Sequence, residues 1–333
     1  LENGADWLAV AILDEGILLR REGLTEPILV LGYTPPEQAE QAVAYDLTLA
    51  VYQRDLAEAL ARAGLKAGKN ARVHVKVDTG MGRIGLPPGE EAVEFIEELS
   101  TLPGLTVEGL FTHFAVADSL DKSFTREQFT RFRGLVGALE ERGITIPIKH
   151  TANSAAIIDL PETHLDMVRA GIAMYGLAPS PEVGNDIGLR PAMEWKTRIA
   201  HIKKIPAATS VSYGRTFVAV EESVIATIPV GYADGYSRAW SNRGTVVVRG
   251  SRAPVVGRVC MDQTMIALSL DTAAGVGDEV VLMGRQGDAA VTADDLAEGL
   301  GTINYEITCL VGKRVPRVYI KDGQVLKICS LLG

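Results

Sequence analysis

Apolar positions along this chain follow two periods, and their texture changes once, near residue 185. Before that point, short runs of near-continuous apolar character recur: WLAVAI (7–12), PILVLG (27–32), LTLAVY (47–52), RVHVKVDT (72–79), VEGLFTHF (107–114), PIKHTAN (147–153) and DMVRAGI (166–172). Between several of them lie segments with apolar residues three and four apart, such as EQAEQAVAY, RDLAEALARAGL and EEAVEFIEEL. Strands alternating with helices predict a parallel sheet with crossover helices. The runs are rich in β-branched residues, as strands covered on both faces are.

Seven such runs fall one short of a closed (β/α)8 barrel of the TIM type. Leu1-Glu2-Asn3-Gly4 also reads as the end of a helix with its glycine stop. The expectation is therefore a barrel whose first βα unit is absent from the chain. After residue 185 the segments become short, β-rich and punctuated by turns, with helical periodicity mainly in TADDLAEGLG. The predicted domains are a barrel over 1–185 and a mostly β domain over 186–333.

Composition adds limits. The chain has 333 residues, 47% hydrophobic and 23% charged, enough for two domains with real cores. Its formal charge of −9 argues against a general binder of nucleic acid or anionic membrane. Cys260, Cys309 and Cys329 are far apart and odd in number, which suggests neither a disulfide framework nor a zinc site and makes a reducing cytoplasm the default. No run is long enough to span a bilayer.

The stretch HVKVDTGMGRIG (74–85) matches G-x-G-x-x-G at the end of a strand. A dinucleotide turn needs its helix to begin within the glycines, yet Pro87-Pro88-Gly89 delays the helix. At a barrel strand end the segment fits better. His74, Lys76 and Asp78 share one strand face, and Arg83 is presented at the mouth, where a guanidinium can hold an anionic oxygen. The plain alternative is a surface arginine.

Other strand ends repeat the pattern. His113 with Asp118, His150 with Ser154, and Arg169 followed by Gly171-Ile172 all fall at such ends. A lone strand histidine is usually a hydrogen-bonded core residue; three successive ends with His, His and Arg point to a site. The Ser154 hydroxyl and the amides near Gly171 and Ile172 suggest a phosphate cradle. There is no His-x-His pair, so a barrel metallohydrolase is disfavoured and no metal is expected. Taken alone, Tyr213 reads as a capped aromatic in a turn, and Cys260 and Met261 as core.

The ordered motifs KVDTGMGRIG, GLFTHFA, HTANS, VRAGIAMYGLAPS, VSYGRTF, TIPVGYADGY, VGRVCMDQTMI and TINYEI resemble those of the alanine racemases. The resemblance covers essentially the whole chain. It implies a pyridoxal 5'-phosphate barrel followed by a β-rich domain, in a head-to-tail homodimer. The implied activity is interconversion of L- and D-alanine, supplying D-alanine for bacterial peptidoglycan.

By the same resemblance, Tyr213 is the base that reaches into the partner's barrel, and Arg83 lies at the cofactor's phenolic oxygen and the substrate carboxylate. Lys76 resembles the often-carbamylated lysine that holds that arginine. Arg169 corresponds to the residue facing the pyridine nitrogen, and His113 and His150 to those linking it to the tyrosine. Ser154, Gly171, Ile172 and Tyr305 resemble the phosphate site, and Met261 a residue near the substrate carboxylate. Asp118, Tyr232, Arg238, Arg258 and Asp262 resemble the substrate entrance.

The family's Schiff-base lysine lies in a motif like K-A-x-A-Y-G-H-G, which this sequence does not contain. The expectation is thus a chain inactive alone. Racemisation is expected to use two bases on opposite faces, that lysine and Tyr213. An arginine at the pyridine nitrogen leaves it unprotonated, which weakens the electron sink and restrains side reactions. The alternatives are a serine or broad-specificity racemase of the same fold, and a non-catalytic cofactor-binding fragment.

Overall fold

The computed structural model describes residues 4–184 and 187–332. The chain divides into two compact units, Leu1–Leu189 and Arg190–Gly333. The predicted boundary at 185/186 and the Leu1–Asn3 helix end lie outside the described residues. Among the described residues no helix is long and apolar enough to cross a membrane.

The first unit is built on six strands: β1 (Leu8–Val10), β2 (Ile28–Val30), β3 (Thr48–Val51), β4 (Ala71–Lys76), β5 (Leu105–Phe111) and β6 (Ile148–His150). They lie side by side in chain order and every neighbouring pair is parallel. Helices α1 (Leu13–Arg21), α2 (Ala39–Ala44), α3 (Arg54–Lys66), α4 (Glu90–Thr101) and α5 (Ser123–Glu141) connect them, and α6 (Ser154–Asp159) follows β6. Each long helix buries one stripe. In α3 it is Leu56, Ala57, Leu60, Ala61 and Ala63, and in α4 it is Val93, Ile96 and Leu99. These pack with Ile28, Val30, Leu49, Val51, Val73, Val75 and Leu110 in one core. Burial of each large aliphatic side chain contributes roughly 1.5–3 kcal/mol.

The unit is therefore a TIM-like part-barrel of six strands, not seven. The predicted strand 166–172 is the exception. It makes one backbone bond to β6, Asp166 N–H to Lys149 O (3.1 Å), and one to the residues after it, Arg169 N–H to Ala152 O (3.0 Å). Gly171 then turns the chain into a short 3-10 turn, Ile172–Tyr175. Apolar spacing announced extended chain there, but it carries no sign of whether a ladder closes.

The second unit is mostly β. Strands β7 (Trp195–Arg198) and β8 (His201–Ile205) are followed by a small hairpin of β9 (Ser210–Val211) and β10 (Phe217–Val218). β11 (Ser223–Ile228) lies between β8 and β14 (Thr264–Leu268). A second sheet has the order β13 (Ser251–Pro254), β12 (Thr245–Val248), β15 (Glu279–Gln286), β16 (Ala289–Val291), with β7 also on β15. Helix α7 (Ala293–Leu300) is the predicted TADDLAEGLG helix, opened by a Thr292–Asp295 capping box. It is followed by α8 (Asn304–Leu310) and by a terminal hairpin of β17 (Arg317–Lys321) and β18 (Gln324–Cys329).

Candidate active site

The glycine-rich segment after β4 wraps its own carboxylate. Asp78 Oδ1 accepts the N–H groups of Gly80 (3.0 Å), Met81 (2.8 Å) and Gly82 (3.1 Å). Gly80 and Gly82 take φ of 139° and 70°, which lets successive amides converge. Those donors are spent on Asp78 and do not cradle a pyrophosphate. Burial raises the Asp78 pKa, but these bonds and the charge of Lys76 outweigh it and hold the carboxyl below its usual range. Arg83 leaves the loop exposed.

Lys76, the last residue of β4, is 2% exposed. Its Nζ donates to Val77 O (2.7 Å) and lies 5.6 Å from the Phe111 ring centre. Burial pushes its pKa down to about 8; Asp78 pulls it up, while Arg169 and Arg83 push it further down.

Arg169 is the hub. Its Nη1 donates to His150 Nδ1 (2.7 Å), and its Nη2 to Thr112 O (2.8 Å), Thr151 O (3.1 Å) and His113 Nδ1 (3.3 Å). Guanidinium lies 5.4 Å over Phe111, whose ring stacks on His150 at 4.7 Å. Burial lowers the Arg169 pKa to about 10, which leaves it cationic at neutral pH. Burial, then Arg169, Arg83 and Lys76, push His113 down to about 3. Burial, Arg169, His74 and Lys76 drive His150 well below its usual range. An arginine can only donate, so His150 and His113 each accept at Nδ1 and carry their proton on Nε2.

Ser154 opens α6, where the Asn153 side chain accepts from Ala156 N–H. Its Oγ accepts the N–H of Gly171 (2.9 Å) and of Ala173 (3.3 Å). The Gly171 amide is thus given to the serine. The hydroxyl proton remains to donate, and Ile172 begins its turn with an N–H outside the turn's own bonding. A Cβ at Gly171 would stand in ordinary contact with Ser154 Oγ, at 3.7 Å. Asp118 is half-buried, and its carbonyl accepts from Ser180 Oγ (2.5 Å).

These residues fit pyridoxal 5'-phosphate. Arg169 has no carboxylate partner among the described residues, and its Nε–H is left free there to meet a neutral acceptor such as a ring nitrogen. Ser154 offers a phosphate oxygen a hydroxyl at the N-terminal end of α6, beside the Ile172 amide.

In the second unit the candidate residues converge on one loop. Tyr213 stands at the tip of the β9–β10 hairpin, 73% exposed. Ser212 before it has φ 68°, and its Oγ donates to Arg258 O (2.7 Å). A Cβ at Gly257 would strike Ser212 Cβ at 2.6 Å, so this position accepts only glycine without displacement. Cys260 Sγ lies 3.6 Å from Ser212 Oγ, half-buried, and Met261 is 54% exposed, so the reading of both as core is wrong. The cause is tertiary: Tyr232 and Ala233 N–H groups bind the carbonyls of Cys260 (3.1 Å) and Met261 (3.0 Å), holding that loop at the surface. Arg314 donates to Asp234 and Asp262, both at 2.6 Å. Arg238 lies in the turn Arg238–Trp240, tied by Ser241 Oγ to Val259 N–H (3.0 Å). Tyr305 is the second residue of α8, at the end opposite the one that meets Gly235.

Sequence reading missed Glu108, Phe111 and Arg314, and it named His74 only for its strand face. The period-2 pattern marked His74 and Lys76 together, but nothing in it foretold a bulge at Glu108.

Comparison with known proteins agrees with this geometry. The family described as "Alanine racemase, N-terminal domain" matches residues 1–179, and "Alanine racemase, C-terminal domain" matches 192–319. An alanine racemase of Clostridium tetani is 49% identical over 330 residues, 98% of this chain and 85% of its own length. One of Desulfovibrio desulfuricans is 52% identical over 318 residues, 96% of this chain and 85% of its own. Among solved structures, the alanine racemase of Clostridium difficile 630 superposes with a TM-score of 0.95 at 44% identity, covering 99% of this chain and 86% of that one. The enzyme of Bacillus anthracis with bound L-Ala-P gives 0.93 at 41%, covering 99% and 85%. Neither an absent first βα unit nor inactivity of the chain gains support from these alignments.

Proposed function

We propose that the chemistry follows the family: this chain belongs to the alanine racemase family, and it interconverts L- and D-alanine. Alanine racemases depend on pyridoxal 5'-phosphate. When bound, it draws electrons from the substrate Cα and acidifies the Cα–H bond. The observation that carries the reading is Arg169, a desolvated cation with only neutral partners and a free Nε–H. That donor suits a pyridine nitrogen kept unprotonated.

The chain's other residues have assignable work. The Ser154 hydroxyl and the Ile172 N–H would hold the phosphate, with Gly171 fixing Ser154 in place. Arg83 orients the phenolic oxygen and the substrate carboxylate, and Met261 contacts that carboxylate. Tyr213 takes or returns the Cα proton on one face. An ordinary tyrosine has a pKa near 10, so it needs donors, and His113, with its proton on Nε2, is one. Asp118, Tyr232, Arg238, Arg258 and Asp262 line the substrate entrance.

Lys76 carries a carbamate. Its nitrogen attacks the carbon of CO2 and loses a proton, and the anion formed sits beside Arg83. The lowered amine pKa supports this, since a neutral amine is required. Growth or incubation with 13C-bicarbonate should give a carbamate 13C signal that disappears in Lys76→Met.

Family members are dimers that bind substrate. We assign a head-to-tail pair in which Tyr213 of one protomer meets the Arg169 group of its partner. Mixing Tyr213→Ala with Arg83→Ala protein should restore alanine racemisation through hybrid sites. Full activity in a verified monomer overturns the shared site.

A further inference from the structure

We infer that His74 and Glu108 are positioning residues of this site, completing a one-way relay that runs by hydrogen bonds from Arg169 through His150 to His74 and ends on the Glu108 carboxylate. The inference rests on the reading that Arg169 faces the cofactor.

The geometry carries it. His150 accepts from Arg169 at Nδ1, so its Nε2 proton points to His74 Nδ1, 2.8 Å away. His74 must then accept at Nδ1 and hold its own proton on Nε2. That Nε2 faces Glu108 Oε2 at 3.7 Å. Both atoms are buried and neither makes a hydrogen bond among the described residues, so the contact between them is electrostatic. His150 thus accepts at Nδ1 and donates from Nε2, and His74 accepts at Nδ1 and turns its Nε2 proton toward the carboxylate, all in one direction.

The fold is shaped around this pair. The β4–β5 register runs Val73↔Val107 and then His74↔Gly109, so Glu108 is the extra residue of a bulge. Bulges re-aim side chains and recur beside active sites. A Cβ at Gly109 would lie 2.4 Å from His74 Nδ1, so glycine there makes the slot for the ring. Trp7 also packs against the His74 ring, with ring centres 5.3 Å apart. Both His74 and His150 are 0% exposed.

The consequence is electrostatic. Arg169 has no carboxylate in contact; its countercharge lies two imidazoles away. A carboxylate at the end of the chain makes His74 Nδ1, and through it His150 Nδ1, a stronger acceptor, because hydrogen bonds in a chain polarise one another. That fixes the height and orientation of the guanidinium. Carboxylate–imidazole pairs behind a site's working groups act in this way, and losing one costs about tenfold or more.

The first test needs no cofactor. 15N-histidine NMR on the full-length protein at neutral pH should show His74 and His150 both neutral and protonated on Nε2. An Nδ1–H tautomer or an imidazolium at either residue overturns the relay. The second test uses Glu108→Gln, which keeps shape and removes charge. With cofactor bound, kcat should fall about tenfold with KM within about twofold, and the absorption maximum of the bound cofactor should shift. Glu108→Asp should recover part of the loss. Wild-type turnover with an unaltered Glu108→Gln rate and spectrum removes the inference alone. Failure of the wild type to bind the cofactor removes the functional reading and the inference with it.

Discussion

The two clusters of candidate residues are built in opposite ways. In the parallel-sheet unit Lys76 and His150 are 2% and 0% exposed, and the Lys76 amine and the His150 ring each have a hydrogen-bond partner. In the β-rich unit Tyr213 and Met261 stand on turns, 73% and 54% exposed. Burial sets protonation in the first cluster: Lys76 near 8, His113 near 3, Arg169 near 10. In the second it is the backbone that is prepared, through the left-handed Ser212 and the glycine slot at 257. On the proposed reading Tyr213 is a base, and a tyrosine needs nearby cations and hydrogen-bond donors to bring its pKa down, groups that the first cluster contains. The difference teaches that one cluster is prepared by its electrostatics and the other by its backbone.

That contrast can be broken, and the largest effect falls on the exposed side. Tyr213→Phe should slow racemisation by roughly a hundred- to ten-thousandfold, with a thermal midpoint close to wild type because the side chain is exposed. Solvent-deuterium incorporation from each enantiomer should show the two directions impaired unequally. Unchanged rates in both remove Tyr213 from the chemistry.

Next comes the buried hub. Arg169→Ala strands two carbonyls and two imidazole nitrogens, and each buried unsatisfied group costs about 1–3 kcal/mol. Urea denaturation should show a loss of about 3 kcal/mol or more. A loss below about 1 kcal/mol would mean that water replaces the guanidinium and that this cluster is no drier than the other.

The smallest effect is a slope. Burial depresses the folded-state pKa of Lys76 from 10.5 to about 8. Between those values the unfolded chain binds the extra proton and the folded chain does not, so stability rises with pH across that window. The penalty of charging the buried amine is fully present below about 8 and is gone above 10.5. The difference between wild type and Lys76→Met should therefore change from about pH 8 upward, read from urea midpoints. A parallel pH dependence in the two proteins would show that Lys76 is not desolvated. A carbamylated lysine cannot titrate this way, so the comparison is made on protein prepared free of CO2.

Much of this molecule is legible from its residues alone, because strand and helix periods are local properties. The apolar runs located β1 to β6 within a few residues, and the three- and four-residue spacing located α3 and α4. Residue types at strand ends marked Lys76, His113, His150 and Arg169 before any contact was known. Three things were decided only by tertiary structure. Whether residues 166–172 join a ladder depends on how far the sheet continues, which no local pattern encodes. The surface position of Cys260 and Met261 follows from amides of residues almost thirty positions away in the chain, at Tyr232 and Ala233. The meeting of Glu108 with His74 depends on a one-residue bulge between two strands, and a register shift leaves no trace in the composition of either strand.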